Sequence, residues 1–270
     1  MTPDNAGIRE RVRDFALWYH TLDLGAAGVT PGWFDLRPII EKLPWPDVAG
    51  KRCLDVGTYD GHLAFEMERR GAKEVIATDI GSHHDWDWMP RARKDGVAAL
   101  DAIAGEKGGG FYLAKEALGS AVEREVISIY ELSPERLGTF DVVVCGSLLL
   151  HLRDPFRGLA AIRSVCGGEF MSSEQIDPEL TLLHPRRTVA FIDGREGRWM
   201  YPNANGHAQM LDMAGFDVLA RTKPYSIPYG PSHPRPKLGL RNRVGETLRT
   251  RLGGNPGVLH AAVRCRPAAV

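Results

Sequence analysis

The chain has 270 residues, enough to bury one large α/β core, and 43% of them are hydrophobic. Its 34 Lys plus Arg balance 34 Asp plus Glu, so net charge argues for neither a nucleic-acid nor an anionic-membrane partner. No uninterrupted apolar run of about 18 residues suggests a span, the N-terminus MTPDNAGIRERVRDF is too charged for a leader, and Cys53, Cys145, Cys166 and Cys265 lack any CxxC spacing. A soluble cytoplasmic chain with reduced thiols is the expectation.

Ile8, Val12, Phe15 and Tyr19 recur at helical spacing behind Asn5, which predicts an amphipathic helix leading into WYHTLDLGAAGVTPGWFD. Residues 1–50 read as an N-terminal helical cap outside the main fold. From residue 51 the short runs CLDV, VIAT, VISI, VVVCG and EFMSS alternate with helical stretches. That rhythm predicts a parallel sheet with helices on both faces. After VVVCGSLLLHL, Asp154 suits a helix N-cap and Pro155 the first helical position, with Gly167 and Gly168 just past the end. A further helix from about 204 to 214 stops at Gly215. FDVLA (216–220) and VLHAAV (258–263) bring the count to seven strands, the last two as a hairpin-like pair. Residues 51–222 form the expected core, and 223–270 a basic, Pro-rich segment with the final strand.

The stretch CLDVGTYDGHLAFEMERRGAKEVIATDI (53–80) carries the chemistry. A βα turn that holds an adenosine-containing ligand needs glycines where backbone approaches it, a helix N-terminus, and an acid at the end of the next strand for ribose hydroxyls. Gly57 and Gly61 make the turn, a helix starts at His62, and Asp79 closes the second strand. A GxGxxG dinucleotide fingerprint is absent, because Asp55 precedes the first glycine and Tyr59 interrupts the pattern.

In this order of motifs the chain resembles class I S-adenosylmethionine-dependent methyltransferases, with D55-V-G57-T-Y59-D-G61 as the first motif. The resemblance extends through FDVVVCGSLLLHLRDP (140–155), SVCGGEFMSSE (164–174) and AGFDVL (214–219), roughly residues 50 to 222. It implies an α/β, Rossmann-like, seven-stranded, doubly wound, mostly parallel sheet. It further implies that Asp55, Gly57, Thr58, Tyr59 and Gly61 face the methionine part of S-adenosylmethionine, and that Tyr59 points away from that part or partly covers it. Asp79 would take both ribose hydroxyls and Ile80 would pack on adenine. Ser128 stands where relatives carry an acid for the adenine amino group, leaving that contact to the backbone of Ile129 and Tyr130. Ser147 and Leu148 would lie beneath the sulfonium methyl.

WYHTLDL, LLLHLRDP and RWMYPN resemble the branch of the tRNA wobble-uridine carboxymethyltransferase, which uses a carboxylated cofactor. Leu150 stands where that pattern has a tyrosine donor, so ordinary S-adenosylmethionine and a small-molecule acceptor, methylated on oxygen, are the expectation, with tRNA modification or a catalytically silent cofactor-binding module as alternatives. His151 is the expected catalytic residue, with His62, His207 and Glu174 as further bases, and Tyr19 and His20 of the cap either close over the ligand or pack as an aromatic pair in the core. HHDWDW (83–88) offers His83, His84, Asp85 and Asp87, but its crowding suits a loop better than a metal site, and no metal is expected. Between 231 and 257 six basic residues, Arg235, Lys237, Arg241, Arg243, Arg249 and Arg251, face one acid, Glu246. That segment is either a flap for an anionic substrate or RNA backbone, or a solvated helix; it has no aromatics for base stacking.

Overall fold

Apolar residues on alternate faces of each central strand dictate a sheet covered on both sides. In this computed structural model, which describes residues 3–104, 106–195, 197–234 and 240–269, the elements run α1 (Pro3–Asp14), β1 (Arg52–Val56), α2 (His62–Arg69), β2 (Glu74–Asp79), α3 (Arg93–Ala104), α4 (Gly109–Leu118), β3 (Glu123–Val126), α5 (Pro134–Leu137), β4 (Phe140–Gly146), α6 (Pro155–Val165), β5 (Cys166–Gln175), α7 (Pro178–Leu183), β6 (Ala190–Arg195), β7 (Arg198–Pro202), α8 (Ala204–Met213), β8 (Phe216–Arg221), β9 (Tyr225–Pro228), α9 (Leu240–Gly253) and β10 (Gly257–Pro267). The main sheet has the order β3-β2-β1-β4-β5-β10-β8, with β9 also paired to β10. Strands β1 to β5 are mutually parallel and β10 is antiparallel to β5, β8 and β9. This is the expected Rossmann-like sheet with one short extra strand. The chain fills one side of β1 with β2 and β3 and then returns to its other side with β4, so the crevice at the carboxyl ends of β1 and β4 is the topological switch point, where ligands bind in such sheets.

The strand alternation sorts the core. Cys53, Val142, Val144 and Met171 face α2, α4 and the N-terminal segment, whose Val12, Trp18, Leu22, Leu24 and Ile39 join the same buried cluster. Leu54, Val56, Val143, Cys145 and Phe170 face α6 and α8 through Leu159, Ile162 and Leu211. All four cysteines are buried free thiols. Asp154 caps α6 by accepting from the Arg157 N–H at 3.0 Å, with Pro155 at the first helical position. Gly215 turns the chain after α8 at φ +85°. Among the described residues no helix is long and apolar enough to cross a membrane.

Three sequence expectations shift. The third strand is EREV (Glu123–Val126), which shares only Val126 with the expected VISI, because Ser128 caps a short 3-10 turn over Ile129–Glu131 and ends the strand early. The first helix stops at Asp14, and the chain continues irregularly, with Phe15 against the core and Tyr19 against Phe34 and Tyr59. The β6–β7 hairpin and β9 were not anticipated: β6 pairs only with β7, and its Phe191 and Ile192 are exposed, so no buried alternation announces it. Residues 235–239 of the basic segment, with Arg235 and Lys237, lie outside the described residues; residues 240–256 form α9 and the turn into β10.

Candidate functional site at the switch point

The glycine turn follows β1 directly. Gly57 and Gly61 have φ of +80° and +90°, a conformation glycine adopts without steric cost. Tyr59 sits between them at φ +49°; it and Ser147, at +53°, are the two non-glycine residues with positive φ among the described residues. Left-handed backbone costs a side-chain-bearing residue roughly 1–2 kcal/mol, and such outliers gather at functional sites. They flank the crevice from β1 and β4. Thr58 is buried, and its N–H, like that of Gly57, donates to the Thr78 carbonyl.

Tyr59 stands between the N-terminal segment and Lys107. Its ring lies 4.8 Å from that of Tyr19 and carries the Lys107 ammonium 4.1 Å from its centroid. The Tyr59 N–H donates to Asp79 Oδ2 at 3.0 Å, and Lys107 Nζ reaches the same oxygen at 2.6 Å with only 4% of its side chain exposed. Ile80 donates its N–H to Asp79 Oδ1 at 2.8 Å, and its carbonyl accepts from Arg124. Asp79 is thus held on both oxygens at the end of β2. Leu148 packs directly on the turn, since a Cβ on Gly57 would stand 2.9 Å from its Cδ2.

Asp60 fastens the N-terminal segment to the turn: its Oδ2 accepts from the Tyr19 N–H at 2.6 Å and the His20 N–H at 2.9 Å. Tyr19 and His20 are thereby held against the glycine turn. Buried polar atoms without a partner gather here, among them Asp55 Oδ2 and His20 Nδ1, and unsatisfied groups of this kind mark where a polar ligand binds.

Beyond β4, Ser147 Oγ lies 2.8 Å from His260 Nε2. Glu174 at the end of β5 accepts from the N–H groups of Leu148 and Leu149 at 3.3 and 3.1 Å, tying down the loop. His151 is the expected catalytic residue; its Nδ1 is 2.9 Å from the Gly197 carbonyl and its ring stands edge-on to Trp86 at 4.8 Å, so it anchors the β6–β7 turn. Leu150, Glu174, Met200, His207 and Met210 wall a small cavity behind that loop. Ser128 and Ile129 sit at the far edge of the crevice; the Tyr130 N–H is turned back to Ser128 Oγ and its hydroxyl to Asp87. Of the two backbone groups expected at adenine, that of Tyr130 is thereby engaged elsewhere. His83 pairs with Asp101 and Asp87 receives the Arg153 N–H, so HHDWDW ties its loop to α3 and to the chain ahead of α6. Lys107 and His260 escaped the sequence reading, because each acts from a separate element with no motif around it; Asp60 lies inside the glycine motif, but its bonds to Tyr19 and His20 cross about 40 residues and leave no local signal.

Burial sets the electrostatics. It pushes the carboxyls of Asp55 and Asp60 up to about 7 and that of Glu174 to about 8. It holds His62, His151 and His260 down to about 4, His207 to about 3, and His20 well below its usual range. An unfolded chain loses its carboxyl protons near pH 4 and gains imidazole protons near 6.5. The folded protein therefore holds extra carboxyl protons that it gives up as pH rises through 7 to 8, and stability falls there. Below about 6.5 the unfolded chain takes up imidazole protons that the folded one refuses, and five imidazoles outweigh three carboxyls, so stability falls on that side too. The melting temperature of the protein without cofactor is expected to peak between about pH 6 and 7. Thermal melts from pH 5 to 8 check this, and a steady climb to pH 8 would contradict it.

A family model described as a methyltransferase domain matches residues 35–221. The chain is 29% identical over 163 residues to an Acinetobacter baylyi protein named ubiquinone biosynthesis O-methyltransferase, covering 54% of this chain and 59% of that protein. It is 31% identical over 166 residues to a protein of the same name from Albidiferax ferrireducens, covering 56% and 57%. The chain thus spans less than two thirds of the length of these relatives. Among solved structures, the N-terminal domain of EvdMO1 with SAH bound shares the fold at a TM-score of 0.56 and 14% identity, over 98% of this chain and 97% of that one. With the matched model running from before β1 to the end of β8, the chain belongs to the methyltransferase-domain family.

Proposed function

We propose that the chain transfers the methyl group of S-adenosylmethionine to oxygen of a small molecule. The observation that carries this reading is the Gly57–Gly61 turn at the switch point with Asp79 buried beside it. Membership of the methyltransferase family and the O-methyltransferase names of the relatives support it. The residues fit the cofactor in kind: the turn backbone and Asp55 for the methionine part, Asp79 for ribose, Ile80 with Ser128 and Ile129 for adenine, and Ser147 with Leu148 below the sulfonium. When bound, the cofactor supplies an activated methyl, so alignment of the acceptor provides most of the rate. Calorimetry with S-adenosylhomocysteine and with NAD tests the reading, and tight binding of NAD alone would overturn it. Methylated products sought in cell extract with labelled cofactor, with and without nuclease, separate a small-molecule acceptor from the tRNA that the branch resemblance and basic α9 suggest.

The carboxylated cofactor of that branch is expected to bind no better than the ordinary one. Leu150 is buried and offers no donor. A carboxylate left unpaired there costs at least about 1–3 kcal/mol. Competitive calorimetry with both cofactors decides, and a preference for the carboxylated form would restore the branch assignment.

A further inference from the structure

Ser147 and His260 come from distant parts of the chain, the end of β4 and the middle of β10, and meet at 2.8 Å. Ser147 takes left-handed backbone at φ +53°, with its N–H held by the Ser173 carbonyl at 2.8 Å. The tautomer of His260 follows from its other contact: Nδ1 is 2.9 Å from the Val258 carbonyl, which can only accept, so Nδ1 carries the hydrogen and Nε2 is left with a lone pair. The Ser147 hydroxyl therefore donates to Nε2 and keeps its own lone pairs for another donor. A hydroxyl bound to a base that a third group orients is the arrangement that activates oxygen for proton transfer. Ser147 is partly exposed at the crevice, whereas His260 is 3% exposed behind it.

We propose that Ser147 and His260 form a proton relay that deprotonates a hydroxyl acceptor, an alcohol or phenol, as its oxygen takes the methyl group. The proposal rests on the methyltransferase reading and deepens it. In the step the acceptor oxygen bonds to the methyl carbon and the S–CH3 bond breaks, its electron pair staying on sulfur. The acceptor proton passes to Ser147 Oγ while the Ser147 proton passes to His260 Nε2. One positive charge leaves sulfur and one appears on the imidazole, so the buried site keeps its net charge.

The groups facing His260 are Tyr225, its partner in the β9–β10 register, whose ring is stacked 6.1 Å away, and Gln175, its partner in the β5–β10 register; Glu174, opposite Ala261, and His207, bonded to Ser172, belong to the other face of the sheet. Burial keeps His260 neutral at ordinary pH, so its lone pair is available throughout the working range, and disappearance of the sulfonium charge offsets its low basicity during the step.

The test compares wild type, His260→Gln and Ser147→Ala with labelled S-adenosylmethionine and three probe acceptors: catechol, 3,4-dihydroxybenzoate and thiophenol. Wild type should methylate the hydroxyl probes with kcat nearly flat from about pH 6 to 9, whereas each variant should lose about 100-fold at pH 7, the usual weight of a positioned base. In the variants kcat should recover as pH rises toward the ionisation of the phenol itself. His260→Gln keeps a group able to accept from Ser147 and should leave S-adenosylhomocysteine affinity and melting temperature unchanged. Variants that retain the wild-type pH profile overturn the relay. So does a wild type that binds S-adenosylhomocysteine yet methylates only the thiol or none of the probes. A wild type that fails to bind S-adenosylhomocysteine instead takes down the methyltransferase reading beneath it.

Discussion

Replacing Asp79 with alanine is expected to weaken S-adenosylhomocysteine binding by at least about a hundredfold and to lower the melting temperature as well. Two ribose hydroxyls donating to this carboxylate are worth roughly 1.5–3 kcal/mol each, and each 1.4 kcal/mol is tenfold in affinity. The stability loss has a separate origin. Asp79 also holds the Tyr59 and Ile80 N–H groups and pairs with the Lys107 ammonium, and removing one partner of a buried pair costs about 3–5 kcal/mol because the other charge is left uncompensated. Lys107 holds Asp79 Oδ2, so a ribose bound through that oxygen would have to displace the ammonium. A double variant, Asp79→Asn with Lys107→Met, separates the two losses. It should recover most of the melting temperature, since no lone cation remains, and stay weak for the cofactor. Calorimetry and thermal melts read both quantities. Full cofactor affinity in either Asp79 variant would remove Asp79 from the site.

What could be read from the sequence was what one local segment contains. The D55-V-G57 turn, the helix behind it and Asp79 lie within 25 residues, and the spacing of acid and glycines is dictated by backbone approach to a ligand, so the motif named its own geometry. Asp154 with Pro155 was equally legible, because a cap is a contact between near neighbours. Lys107, by contrast, reaches Asp79 across 28 residues, and His260 reaches Ser147 across 113; nothing in EKGGG or VLHAAV marks either. Tyr59 was visible as an anomaly, but its partner Tyr19 sat at the end of a helical periodicity that the chain abandons after Asp14. VISI misled for a physical reason too: its β-branched residues fit a strand, yet the Ser128 cap and burial of Ile129 against α6 outweigh that propensity.

Asp60→Ala is expected to cost about 3 kcal/mol of stability, because it strands two N–H groups at roughly 1–3 kcal/mol apiece. For a chain of this size that is a fall of about 6–12 °C in melting temperature. The loss is not confined to the core, since the Tyr19 and His20 N–H groups that Asp60 holds fix the segment whose Tyr19 ring stacks on Tyr59. Freed of that clasp, the wall over the glycine turn loosens, and cofactor affinity should fall with stability. Asp60→Asn distinguishes the hydrogen bonds from the charge. Its amide oxygen still accepts, so it should lose less than alanine, and the difference should depend on pH. Burial raises the Asp60 carboxyl to about 7, so the folded wild type binds a proton that the unfolded chain has already lost, and its stability drops as pH rises through 7. Asparagine carries no such proton. Its melting temperature relative to wild type should therefore improve between pH 6 and 8, by up to about 1.4 kcal/mol per pH unit in stability. Melts of the three proteins at both pH values measure this, and an alanine variant that melts within about 2 °C of wild type would show that Asp60 does not hold the N-terminal segment in place.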